Sequence, residues 1–473
     1  MSEQAPCFSN RSFTNRQFFT ASIGIVATFG VLLTIQCQAQ PAGGQQQLTT
    51  QMLIGDAVSE IGTRYGDVDE AIKRFLNRDV LGARTFLESA KRKDPSLPPV
   101  DLTMAKMFFL TGNIPAGRAS LERTAMESPD DPEAYLILAD QAISPQQNRV
   151  IEAEALYDKA LALVDKFTEN AKRKRNFQIR ARAGRAAVYE RRRNWPAAAA
   201  DLQEWIKIDP DNAAAHYRLG RALFMQKKDR EGYAEFVAAS KLDKEKNLPH
   251  PSVSAALMYD QLGQRSDAQK AFDHAMNANP TDATTLTAYG EWLIKTGAIE
   301  KAEQVLADAR KANPDSLNLF ILSGLAARMN KKMKPAEDYF MEALRISPAN
   351  AGTINQLALL LIEQSDQDKR QRALEFAAIN ARINNESADA QVTYAWVLYQ
   401  LGRFAEAQQA LQLGLQLGNR SPDSNYLLAR ILVDRKQTDA AKQVLQEALE
   451  ADTPGIFVYR NDAQALLDSL GTQ

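Results

Sequence analysis

The chain has 473 residues, of which 45% are apolar, 24% charged and 8% aromatic, a composition that excludes an intrinsically disordered protein and allows a packed core. Lys plus Arg (57) against Asp plus Glu (58) leaves a net charge of −1, so no global field draws the molecule to nucleic acid or to an anionic membrane. Only two cysteines occur, Cys7 and Cys37, which rules out a disulfide framework or a thiolate metal site in the body of the chain.

The first element is an uncharged run of eighteen residues, 18–35, preceded by Arg11 and Arg16. It reads as an export signal, cleaved after Ala39 where Cys37 and Ala39 supply small residues, or as a retained membrane anchor. A lipid-modified Cys37 is a third reading, to which Gln36 is a poor fit. No Lys or Arg lies between Ile35 and Arg64, so the charge bias places residues 40 to 473 outside the cytoplasm, in the periplasm or cell envelope, soluble or tethered through residues 18–35. Residues 1–39 are thus a signal or anchor, and 40–63 a Gly/Gln-rich linker with an N-terminal cap over 51–63.

From residue 64 to 455 the chain repeats itself. Prolines at 95, 129, 210, 280, 314 and 348 are spaced by 34 residues or by 34-residue multiples with insertions. In a 34-residue frame the eighth position is always small: Ala71, Ala105, Ala139, Ala186, Gly220, Ala256, Gly290, Gly324, Ala358, Ala395 and Ala429. The twentieth is Ala or Gly as well, and the twenty-fourth is a bulky filler such as Leu87, Phe236 or Phe340. Small residues recurring on two successive helices mark the place where antiparallel helices cross closely. Gly112, Gly263, Gly297 and Gly402 fall where the first helix of a pair must end and the chain must turn. The third unit carries insertions up to about Gly184, the ninth three extra residues near 366–370, and the last three lack the closing proline. Residues 456–473 carry an apolar stripe, Ala463, Leu466, Leu467 and Leu470, expected to be a capping helix.

This pattern resembles the tetratricopeptide-repeat family, most fully in Ala255, Ala256, Tyr259, Gly263, Ala268, Phe272, Ala275 and Pro280. The resemblance implies an all-α fold, a right-handed α-solenoid of about eleven stacked helix-turn-helix repeats. It also implies a non-enzymatic scaffold that binds other proteins, as partner helices or extended peptides, in a groove lined by positions two, five, nine and twelve. Carried over, those positions predict a groove of Phe75, Phe109, Ile143, Tyr217, Arg221, Phe224, Leu257, Leu325, Arg328, Trp396, Tyr399, Tyr426 and Arg430. Phe109, Phe224, Trp396 and Tyr399 stand out by bulk as partner contacts. Lys or Asn is rare at positions five and nine, so the carboxylate clamp of some relatives is not expected. The alternative reading is an accessory that binds envelope polysaccharide or lipid with the same aromatics as platforms.

One basic run interrupts the pattern: Lys172, Arg173, Lys174, Arg175, Arg180, Arg182, Arg185, Arg191, Arg192 and Arg193 against a single acid, Glu190. It is either a patch for an acidic partner or lipid headgroup, or a solvated helix face with Arg stems over apolar surface, the preferred reading. Only Phe177, Tyr189 and Trp195 interleave it, too few aromatics for nucleic acid. His216, His250 and His274 lack metal-ligand spacing, and no phosphate loop or nucleophile elbow occurs, so neither cofactor nor catalysis is expected.

Overall fold

The structure, a computed structural model, describes residues 48–58, 65–451 and 455–471. The apolar run 18–35, both cysteines and part of the expected N-terminal cap lie outside the described residues. Every regular element among the described residues is a helix, and none of these is long and apolar enough to cross a membrane. They form two compact units, divided between Pro280 and Thr281.

The first unit opens with the short α1 (Thr50–Ile54) and continues with six helical hairpins. These are α2 (Gly66–Leu76) with α3 (Val80–Lys93), α4 (Val100–Leu110) with α5 (Ile114–Glu127), and α6 (Pro132–Ile143) with α7 (Val150–Lys166). Then follow α8 (Ala171–Arg191) with α9 (Trp195–Ile208), α10 (Ala213–Phe224) with α11 (Asp229–Leu242), and α12 (Pro251–Gln261) with α13 (Arg265–Ala278). The second unit has five hairpins: α14 (Ala283–Lys295) with α15 (Ile299–Ala312), α16 (Leu317–Met329) with α17 (Met333–Ile346), and α18 (Ala351–Ile362) with α19 (Gln367–Ile383). The last two are α20 (Ala388–Gln400) with α21 (Phe404–Leu417) and α22 (Pro422–Asp434) with α23 (Thr438–Glu450), after which α24 (Arg460–Gly471) packs on α23.

The small residues do what their spacing predicts. Alanines at the eighth and twentieth positions are almost wholly buried, and the bulky twenty-fourth residue fills the space beside them. Where the filler is Phe, the eighth position is twice glycine: a Cβ on Gly324 would lie 2.5 Å from the Phe340 ring, and one on Gly220 would lie 2.7 Å from Phe236. The turn inside nine of the eleven hairpins, all but the third and the ninth, takes the left-handed conformation at the fifteenth position, with Gly112, Gly263, Gly297 and Gly402 at φ of 74° to 84°. Arg78, Arg193, Lys227, Lys331 and Lys436 hold the same place elsewhere at φ of 56° to 64°. Side-chain caps start many of the helices, as with Asp131, Asn170, Asn212, Asp282, Asn350 and Ser421.

The insertions lengthen helices and, in the third hairpin, also the inner turn, residues 144–149. In the third and fourth hairpins α7 reaches 17 residues and α8 reaches 21, against 14 for most second helices; in the ninth, α19 reaches 17. With no closing proline, the tenth hairpin ends at Gly418, whose φ is 71°. Within each unit the first helices of neighbouring hairpins touch one another, as α6 with α8, α10 with α12, α18 with α20 and α20 with α22. Successive second helices make no comparable contact. The more closely spaced helices line the inside of a curved stack, so the first helices form each unit's inner face.

Candidate functional site

On the first unit's inner face the chain binds part of itself. After α1, residues 55–58 run across α4 and α8, and side chains of those helices receive their main-chain carbonyls. Lys172 Nζ donates to the Gly55 oxygen at 2.7 Å and to that of Val58 at 2.6 Å. Asn170 Nδ2 donates to the Ala57 oxygen at 2.7 Å, and Asn176 Nδ2 reaches that of Asp56 at 3.5 Å. Lys106 of α4 donates to the Leu53 oxygen at 3.3 Å and pairs with the Asp56 carboxylate at 3.2 Å. Leu53 and Ile54 are sealed in a cluster with Tyr65, Val68 and Ile72. These are the carbonyls that the end of α1 and the turn after it leave without helical partners, so the contacts read the backbone of a helix C-terminus rather than its side chains.

Beneath this segment lies a network of buried charges. Arg173, fully buried, bonds through Nη2 to Asp131 at 2.8 Å and Glu133 at 2.9 Å, and its guanidinium lies 5.3 Å from the Phe167 ring and 4.9 Å from that of Phe177. Glu133 also accepts from Lys106 at 2.6 Å. Burial pushes the Glu133 carboxyl up, but Lys106 and Arg173 overrule it and hold it down at about 2. Burial, then the charge of Glu133, raises Asp56, and burial raises Asp131. Farther along, Arg180 Nε bonds Asp140 at 2.7 Å, and Tyr157 donates to the same carboxylate at 2.5 Å.

The basic run is a solvated face only in part: Lys172, Arg175, Arg192 and Arg193 are exposed, while Arg173 is buried. Acids from neighbouring helices meet it: Asp201 takes Arg182 and Arg185, Asp209 takes Arg175, and Glu154 takes Arg192. Lys174 caps the Asp165 carbonyl at 3.0 Å, Arg191 reaches Asn148 at 3.2 Å, and Arg193 serves the turn. A count over sequence misses this pairing because the acids sit 16 to 42 residues away on other helices.

The remaining predicted groove residues divide. Phe109 and Phe224 are corrected from groove to core. Phe109 presses on Gly117, where a Cβ would lie 2.5 Å from its ring. Phe224, fully buried, stacks on Phe236 at 5.4 Å over Gly232. Each ring turns inward because the facing glycine leaves room for it. Phe75 packs edge-on to Phe108 at 5.0 Å, and Ile143 is buried beside Phe177. Tyr217 is likewise corrected from groove to core, packed against Phe236 with ring centroids 5.2 Å apart, while Arg221 and Leu257 remain partly exposed on α10 and α12.

In the second unit the segment before α24 lies across the inner face. Tyr459 stacks on Tyr426 at 4.8 Å, donates to Glu363 at 2.6 Å and accepts from Arg328, which also donates to Glu363 at 2.7 Å and to Gln356 at 2.6 Å. The Tyr459 amide donates to Asp423 at 3.1 Å, and burial lifts that carboxyl to about 6 against the pull of this bond and of Arg328. Arg430 covers Trp396, with its guanidinium 5.7 Å from the ring, and Tyr399 stacks beside Trp396 at 6.4 Å. Leu325 is buried in the same cluster. Sequence reasoning found Arg328, Trp396, Tyr426 and Arg430 but missed Tyr459, Glu363 and Asp423. It also missed Lys106, Glu133, Asn170 and Asn176. Lys106 stands at the ninth position of its repeat and was legible there. Asn170 and Asn176 lie in the extension of α8, outside the 34-residue frame.

Three family models match parts of the chain. Two are described as tetratricopeptide repeat, one over residues 261–320 and the other over 181–232 and 293–351. The third, described as anaphase-promoting complex, cyclosome, subunit 3, covers 366–448. No curated protein matches the sequence. Similar solved structures include that of yeast Tom70, 15% identical, covering 87% of this chain and 96% of that one with a TM-score of 0.39. MamA is 19% identical over 34% of this chain and 93% of its own, with a TM-score of 0.31. YrrB, described as a TPR protein with an unusual peptide-binding site, is 18% identical over 43% and 98%, with a TM-score of 0.28. Likenesses at this level carry no argument about function.

Proposed function

Because the chain belongs to the tetratricopeptide-repeat family, we propose that it is a non-enzymatic protein-interaction scaffold of the cell envelope whose inner helical faces hold helices or extended segments of other proteins. One observation carries the reading: the first unit's inner face receives the carbonyls of residues 53 and 55–58, at the end of α1 and in the turn that follows, with side chains of α4 and of α8 and its N-cap. A surface that binds one helix end in this way has the chemistry to bind another. The envelope location rests on the apolar run 18–35 and on the lack of Lys and Arg from 36 to 63. Polysaccharide or lipid binding is less well supported, since Trp396, the best stacking platform, is only 7% exposed and lies under Arg430.

The test replaces the partly exposed Arg221 and Leu257 together by alanine and, separately, the exposed second-helix residues Met126 and Ile151. Proteins co-purified from intact cells are then compared by quantitative mass spectrometry. The reading expects partners to be lost with the inner-face pair and kept with the outer pair. Equal recovery in both would contradict it.

A further inference from the structure

We propose that residues 53–58 are a tethered ligand, which occupies the first unit's inner face in competition with a partner segment of the same chemistry. The inference rests on the scaffold reading above and adds to it the identity of the segment and its regulation.

The chemistry the site accepts can be read from its present occupant. Two adjacent aliphatic side chains, Leu53 and Ile54, are buried. A carboxylate two residues later, Asp56, pairs with Lys106. Carbonyls at five positions are received by Lys106, Asn170, Lys172 and Asn176. The occupant ends as one turn of helix followed by a tight turn, so the matching partner is a short helical segment whose last turn carries two bulky aliphatics followed, after one residue, by Asp or Glu.

The receiving groups are additions to an ordinary hairpin stack. Lys172 and Asn176 belong to the extra length of α8, which no other first helix among the described residues has, and Asn170 caps it. Their bonds to residues 55–58 span 113 to 120 positions in sequence, so no local folding requirement explains them. Lys106 is held in place from below by Glu133, itself anchored by Arg173, and Asn170 by the Arg173 amide, which it caps at 3.0 Å. These two donors are therefore preorganised and stay in position when the segment leaves. A covalently attached ligand acts at a high effective concentration, so a partner binds only through the fraction of molecules in which the segment is displaced.

The test uses the full chain and a fluorescein-labelled peptide of residues 48–58, LTTQMLIGDAV, with binding read by fluorescence anisotropy. Leu53→Asp/Ile54→Asp releases the tethered copy without touching the receiving groups. This variant should bind the peptide at least about tenfold more tightly than the wild-type chain, and adding Lys172→Ala should abolish the gain. Val58→Asp, at the far end of the segment, is the second releasing variant and should act in the same direction. Circular dichroism checks that both remain helical. Equal affinity in the wild-type and released chains, or a gain that survives Lys172→Ala, would overturn the proposal. Should the peptide result fail while the Arg221/Leu257 substitution still removes partners, the tethered ligand falls and the scaffold stands. The converse pattern removes the scaffold reading and leaves the intramolecular site.

Discussion

Replacing Arg173 by methionine removes the one cation that Asp131 contacts and one of the two that hold Glu133. Methionine fills much of the same volume between Phe167 and Phe177, so the change is chiefly one of charge. Breaking a buried pair on one side costs about 3–5 kcal/mol, because the partner is left charged and dry. Glu133 retains Lys106, so most of the cost falls on Asp131, which burial already pushes toward its neutral form. Arg173→Met should accordingly weaken hydrogen-exchange protection of α6 and α8 by about 3 kcal/mol at neutral pH. Arg173→Met/Asp131→Asn should recover more than half of this, since asparagine keeps the cap on the Glu133 amide without the charge. The acid limb provides a further check. Glu133 is held at about 2 in the folded chain against an ordinary value of 4.5, so its contribution is complete above about pH 4.5 and is lost as pH falls through 2. That difference corresponds to about 3 kcal/mol, and Arg173→Met should shrink it. A loss below about 1 kcal/mol at pH 7, or no recovery in the double variant, would refute the account of this network.

Three other outcomes follow from the packing. Gly324→Ala forces a Cβ to within 2.5 Å of Phe340 and should cost about 1–3 kcal/mol in protection of α16 and α17; Phe340→Leu in the same chain should reduce that penalty, giving the Ala–Leu pairing used by Ala71 with Leu87, and additivity of the two changes would contradict the crossing argument. Asp423 is raised to about 6 from 3.8, so in the folded chain it binds a proton where the unfolded chain does not, and the second unit should lose about 3 kcal/mol of stability as pH rises from about 4 to 6. Asp423→Asn should flatten that slope in urea denaturation, and an unchanged slope would place the titration elsewhere. Lys331→Gly should raise the midpoint of urea denaturation, gaining up to about 1 kcal/mol by relieving the left-handed turn at φ 58°, whereas a loss would show that the lysine side chain stabilises the turn.

The repeat was legible because helix crossing leaves little choice: a backbone that must approach another tolerates only Ala or Gly, and the pattern recurs wherever it is required. The same rule, applied one step further, would have placed Phe109 and Phe224 correctly, since Gly117 and Gly232 stand eight residues after them and make the pockets that receive the rings. The occupied inner faces were not legible. Asn170 and Asn176 fall in an insertion where the 34-residue frame assigns no direction, and Tyr459 comes from a segment outside the repeats altogether. Nor does charge in sequence report charge in space. Arg173 looks like one cation among ten until the fold brings Asp131 and Glu133 from about 40 residues away.

The central claim, that the first unit's inner face holds the backbone of residues 53–58, is tested most directly by a covalent trap. Asn170 Nδ2 and the Ala57 carbonyl oxygen are 2.7 Å apart, so Ala57→Cys/Asn170→Cys, in a chain with Cys7 and Cys37 replaced by serine, places two thiols on touching residues, within the span of a short thiol-to-thiol cross-linker. The account predicts nearly complete cross-linking within single molecules, with little in the control Ala57→Cys/Arg118→Cys on a second helix. Equal trapping in both pairs, or none in the first, would contradict it.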